Sequence, residues 1–153
     1  MTLNSALLRP FPALAEAAAS PELRHAFEKH LAETEGHVGR LEQIFSQMGK
    51  DPKATTCDAM KGLVKEGESI IDDIDQSPLR DAGLIAAANR VEHYEIAAYG
   101  SAKTFAQTLG LTGVVTLLAQ TLQEEKMADQ KLTEIAESMV NIEALRAGSM
   151  QER

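Results

Sequence analysis

Apolar residues recur every three to four positions through most of the chain, the spacing by which an α-helix presents one apolar face. From Ser77 to Leu109, at about 100° per residue, Asp81, Leu84, Ile85, Ala88, Val91, Tyr99, Ala102 and Ala106 fall along one side. Residues 21–48 carry a stripe of Leu23, Phe27, Leu31, Val38, Leu41, Phe45 and Met48, close to a heptad. Residues 112–147 carry Val114, Leu118, Leu122, Leu132, Ile135, Ala136 and Met139. A shorter helix is expected over 57–75, and a first one over 3–18, where Leu7, Leu8, Phe11 and Leu14 make an apolar side broken by Pro10 and Pro12.

The punctuation agrees with these spans. Ser20-Pro21 and Ser77-Pro78 read as an N-cap followed by proline in the first turn, and Gly49 and Gly110 as C-terminal stops. Thr56 and Thr112 are expected to cap the helices that follow them. The fold class predicted is all-α. Two helical hairpins, residues 3–48 and 78–147, joined by a crossover with its own short helix, describe a four-helix bundle of the ferritin-like type. It would form a single domain over residues 1–147, with 148–153 as a frayed tail.

Composition supports this and narrows the function. The 153 residues suffice for one core, and only 4% are aromatic, which disfavours a sheet. The formal net charge of −8 excludes a basic face for nucleic acid and suits the attraction of cations, although acidity also serves solubility alone. Cys57 is the one cysteine, so no internal disulfide forms, and a reducing, cytoplasmic setting is expected. The first residues lack the basic start of a signal peptide, and no apolar run approaches the ~20 residues of a membrane span.

The chemistry lies in acids that interrupt the stripes. Glu92 and Glu95 sit on the centre line of the 77–109 face, and Glu125 and Asp129, four residues apart, sit in the middle of the last stripe. On the second helix His30, Glu33 and His37 occupy a flank, with Glu33 nearest the edge. A buried carboxylate without a partner costs several kcal/mol, so such groups are paired or hold a metal. Carboxylates with a few imidazoles on facing helices suit iron or manganese. The expected ligands are Glu33, His37, Glu92, Glu95, Glu125 and Asp129, whereas His30 reads as a packing or hydrogen-bonding residue. The spacing departs from the Glu-x-x-His of di-iron bundles: Thr34 stands three before His37, and Asp129 stands where histidine is usual. The alternatives are pairing of Glu92 and Glu95 with Arg90, Lys103 or Lys126 across a dimer seam, and a bond from Asp129 to Tyr94 or Tyr99.

The strings FEKHLAETEGHVGRLEQIF at 27–45, DAGLIAAANRVEHYEIAAYG at 81–100 and LQEEKMADQKLTEIA at 122–136 closely resemble the YciE/YciF family of ferritin-like proteins (DUF892). The resemblance extends from about Leu7 to Ile135. It implies a four-helix bundle with a crossover helix, a homodimer, a link to bacterial stress responses, and a dimetal site on Glu33, His37, Glu92, Glu95, Glu125 and Asp129. The inward acids together with this resemblance give the leading expectation, a metal-binding stress protein with peroxide- or oxygen-linked redox activity; were a pair of irons to form, Tyr94 or Tyr99 would be its redox-active neighbours. The competing expectation is a non-catalytic helical dimerisation protein with a degenerate or empty site. The first helix departs from the family pattern, for Asn4 holds the place of its ligand glutamate, and a neutral amide is a poor bridging ligand.

Overall fold

A computed structural model of the chain describes residues 10–53 and 55–151. All the regular elements among the described residues are helical: α1 Pro10–Ala17, α2 Pro21–Gln47, α3 Asp58–Asp73, α4 Pro78–Thr108, α5 Thr112–Ile135 and α6 Asn141–Gln151. A π-helical turn, Ala136–Val140, joins α5 to α6. The hairpins α1–α2 and α4–α5 pack together through α2 and α5, and the crossover helix α3 lies against α4 and α1. None of the described helices is long and apolar enough to cross a membrane.

Local chemistry sets the helix ends. Ser20 and Ser77 accept hydrogen bonds from the Leu23 and Arg80 amides, each just ahead of a proline in the first turn. Gly49 and Gly110 take positive φ, 62° and 71°, which a side chain would oppose. The following amides, Lys50 and Leu111, then donate back to the Phe45 and Ala106 carbonyls, and both helices close by the same turn. Two caps differ from expectation. Cys57, rather than Thr56, caps α3, its sulfur accepting from the Met60 amide at 3.4 Å. Leu111 precedes α5 without a side-chain cap, and Thr112 is the first helical residue.

Burial corrects the faces read from apolar spacing. On α2 the inward residues are Leu23, Phe27, His30, Thr34, His37, Val38 and Ile44; of the expected stripe Leu23, Phe27 and Val38 are buried, while Leu31, Leu41 and Phe45 are only partly covered and the centre of the face lies one position over. The two histidines therefore stand at the centre of the face and Glu33 beside it. On α5 the inward set is Val114, Leu118, Thr121, Leu122, Glu125, Leu132 and Ile135. The last helix is not one unbroken α-helix to Ala147: the π turn adds a residue, and the chain stays helical through Gln151. Asn4, Leu7 and Leu8 lie outside the described residues.

The core divides into three along the bundle axis. Leu23, Phe27, Leu84, Ile85, Leu132 and Val140 belong to one apolar cluster. Ile44, Tyr99, Ala106, Val114 and Leu118 belong to another. Between them, in helix order, lie the buried polar residues His30, Thr34, His37, Glu92, Glu95 and Glu125, with Thr121 beside Leu122 at the edge of the second cluster.

One buried acid belongs to the fold. Asp81, 1% exposed, accepts from the Ala19 amide at 2.8 Å and the Ser20 amide at 2.7 Å, tying the first turn of α4 to the α1–α2 corner. Replacing it strands one buried and one part-buried donor. Asp81→Ala is expected to lower unfolding stability by about 3 kcal/mol, measured by urea denaturation, with the helix content of the remaining folded protein unchanged.

Candidate metal centre

Three helices meet in the polar layer, and their heptads bring side chains to one depth. His30 and His37 are seven residues apart on α2, in line with Leu23 and Ile44. Glu92 shares the line of Ile85 and Tyr99 on α4, and Glu125 that of Leu118 and Leu132 on α5. The His30, Glu92 and Glu125 ligand atoms all lie within 4.8 Å of one another, and all three residues are buried. His30 Nε2 is 3.3 Å from Glu92 Oε1 and 3.3 Å from Glu125 Oε2, while His37 Nδ1 is 3.0 Å from Glu125 Oε1. These contacts lie off the directions a hydrogen bond needs, and none of the four carboxylate oxygens accepts a directed one.

Each imidazole is also held from outside. Glu33 Oε2 lies 3.3 Å from His30 Nδ1, and its other oxygen meets Lys29 at 2.8 Å. Glu124 Oε2 lies 2.8 Å from His37 Nε2, and Arg40 grips both Glu124 oxygens at 2.7 Å while also donating to Thr121. An imidazole facing an inner acid with one nitrogen and an outer carboxylate with the other is the arrangement that orients histidine around metals.

The sequence-derived candidates thus fall in different places. Glu92 and Glu125 form the centre with His30, which had read as a packing residue. Glu95 is buried beside them, and His37 braces Glu125 with one nitrogen and Glu124 with the other. Glu33 stands behind His30. Asp129 lies apart from the group, one position beyond the heptad line of α5, where it accepts from Asn89 at 2.6 Å and meets His93 at 3.2 Å rather than either tyrosine. Arg90 pairs with Glu66 instead of with the inward acids. Tyr94 points away to the Cys57 sulfur, 3.0 Å off, and Tyr99 packs its ring on the edge of His37.

The electrostatics divide the acids. Burial, then the neighbouring Glu125 and Glu95, pushes Glu92 up to about 10. Burial and Glu125 raise Glu95 to about 8, against the pull of His37. Burial alone would raise Glu125 as well, but the two imidazoles reverse this and hold it at about 2. Burial would lower His37, yet Glu125 and Glu124 on its two nitrogens raise it. Adjacent carboxylates out of water do not both ionise without a cation.

An all-α bundle whose buried middle carries acids and imidazoles from facing helices is a ferritin-like bundle by architecture. The chain belongs to the family described as a domain of unknown function (DUF892), whose profile matches residues 2–145. It is 43% identical over 139 residues to protein YciF of Escherichia coli strain K12, covering 90% of this chain and 84% of the relative. The crystal structure of the E. coli stress protein YciF matches with a TM-score of 0.84 over 88% of this chain and 86% of that one. YcfI of Rhodopseudomonas palustris, 35% identical, matches with a TM-score of 0.81 over 86% of each chain.

Because the folded chain keeps a proton on Glu92 that the unfolded chain has released, metal-free protein loses stability as pH climbs from 4.5 towards about 10. The raised His37 acts in the same direction. Melts of chelator-treated protein across this window are expected to show a falling Tm, and Glu92→Gln to flatten the slope.

Proposed function

We propose that this protein is a ferritin-like metal-binding stress protein, holding iron or manganese between His30, Glu92 and Glu125. The observation that carries the reading is the convergence of three buried ligand atoms within 4.8 Å, from three helices. Ligands at about 2.1 Å from an ion stand about 3 Å apart when adjacent and about 4.2 Å apart when opposite, so a small closure of the group suffices. The donor set, one imidazole nitrogen and carboxylate oxygens, suits Fe(II) and Mn(II) over softer ions. A bound cation supplies a redox-active or Lewis-acidic centre, here for chemistry with peroxide or oxygen. Glu33 and Glu124 orient His30 and His37, Arg40 fixes Glu124, and the apolar clusters above and below close the layer along the bundle axis. Glu95 and His37 flank the second position that a dinuclear site would use. The reading places the protein in the cytoplasm, where the Cys57 thiol stays reduced.

Elemental analysis after loading with iron or manganese is expected to find bound metal, and Glu92→Ala to abolish it. At a free metal concentration about 100 times Kd, stability rises by about 2.7 kcal/mol. Glu33→Gln weakens affinity by about 10- to 100-fold through the orientation of His30. Absence of bound metal in the native chain removes the reading.

The same reading has the chain as a homodimer. Phe105 in the last turn of α4 and Leu109 at its C-cap, 67% and 70% exposed, supply an apolar surface of the kind that marks protein contacts. If this face is the dimer contact, sedimentation of the native chain shows a dimer and Phe105→Glu a monomer with unchanged metal content. A dimer that persists in the variant places the interface elsewhere.

A further inference from the structure

A cavity of about 330 Å³ opens between α2 and α5 and ends at His30 and Glu92. That is room for about ten water molecules at about 30 Å³ each, and it reaches the range of organic ligand pockets, about 300–1,000 Å³. Peroxide or dioxygen, with two heavy atoms, fills only a small part of it. Phe27, Met127 and Leu132 make its walls largely apolar, with Ala26 and Ala128 giving the width.

Its charges are already balanced. At the rim Lys29 lies 2.8 Å from Glu33, and Lys131 lies 3.7 Å from Glu134, each pair within its own helix. At the floor, the two charges of a divalent ion are offset by the carboxylates of Glu92 and Glu125. An anion or an ammonium reaching the buried floor leaves water without gaining a free countercharge, which disfavours it against a neutral molecule.

We infer that this cavity binds an uncharged organic molecule of about ten non-hydrogen atoms, its body along Phe27, Met127 and Leu132 and one oxygen donor turned to the His30–Glu92 floor. The inference rests on the metal reading for the charge of that floor. It names a substrate class larger and less polar than peroxide.

Fluorine NMR titrations test it with para-fluorobenzyl alcohol, para-fluorobenzoate and para-fluorobenzylamine, on metal-free and Mn(II)-loaded protein whose manganese is measured by elemental analysis. Saturable binding of the alcohol is expected, about tenfold or more tighter than either charged analogue, with manganese broadening its signal. Ala128→Phe, which fills the cavity, is expected to abolish it. Absence of saturable alcohol binding, equal binding of a charged analogue, or binding retained in folded Ala128→Phe overturns the inference. Should that variant not fold, the charge ranking on the native chain decides. Should no manganese bind, the metal reading fails separately. The alcohol titration on the metal-free chain then decides, with alcohol-selective binding upholding the cavity inference and its absence overturning it.

Discussion

Two carboxylates held out of water beside two imidazoles govern this structure. Glu92 and Glu125 are wholly buried, and their oxygens lack directed hydrogen bonds. A bundle of this size could fill the same volume with leucine at no such cost, since taking a carboxylate out of water is expensive even beside an imidazole. The two apolar clusters supply the favourable burial that supports the polar layer between them. The outer partners of the imidazoles, Glu33 and the Glu124–Arg40 pair, restrict how that layer can rearrange.

The layer also divides labour among acids of one chemical type. Glu125, between two imidazoles, is held ionised, whereas burial and the neighbouring carboxylates keep the protons on Glu92 and Glu95. Asp81, equally buried, is satisfied by two backbone amides and serves the corner between α1 and α2. Asp129, nearer the surface, has side-chain partners of its own. Depth and partner, more than residue type, decide what each acid does.

Much of this was legible in the chain itself. Paired caps at Ser20-Pro21 and Ser77-Pro78, glycine stops at 49 and 110, and helical periodicity place every long helix. Glu92, Glu95 and Glu125 stand out because each breaks an otherwise apolar line. His30 was harder to find because α2 offers two lines one position apart, and the line of Leu31, Val38 and Phe45 is the more apolar. What selects the His30–Thr34–His37 line is the chemistry of the opposing helices, where acids await basic partners, and single-helix periodicity does not carry that information. The signal was present in the register of His30 and His37 with Leu23 and Ile44. Asp129 misleads for a related reason: one turn from Glu125 is close on a wheel, but the α5 face advances by about 3.5 residues per turn, so Asp129 has rotated toward Asn89 and His93.

The π turn at Ala136–Val140 has a consequence for how the chain tolerates change. The α5 heptad, continued unbroken, would bring Ile142 inward; the additional residue instead seats Val140 in the core and leaves Ile142 outside. The inward face of α6 is thereby offset by one position from that of the segment bearing Glu125. Deletion of one residue between Ile135 and Val140 would therefore return the joint to plain α-helix, keep Val140 inward and leave the depth of Glu125 unchanged.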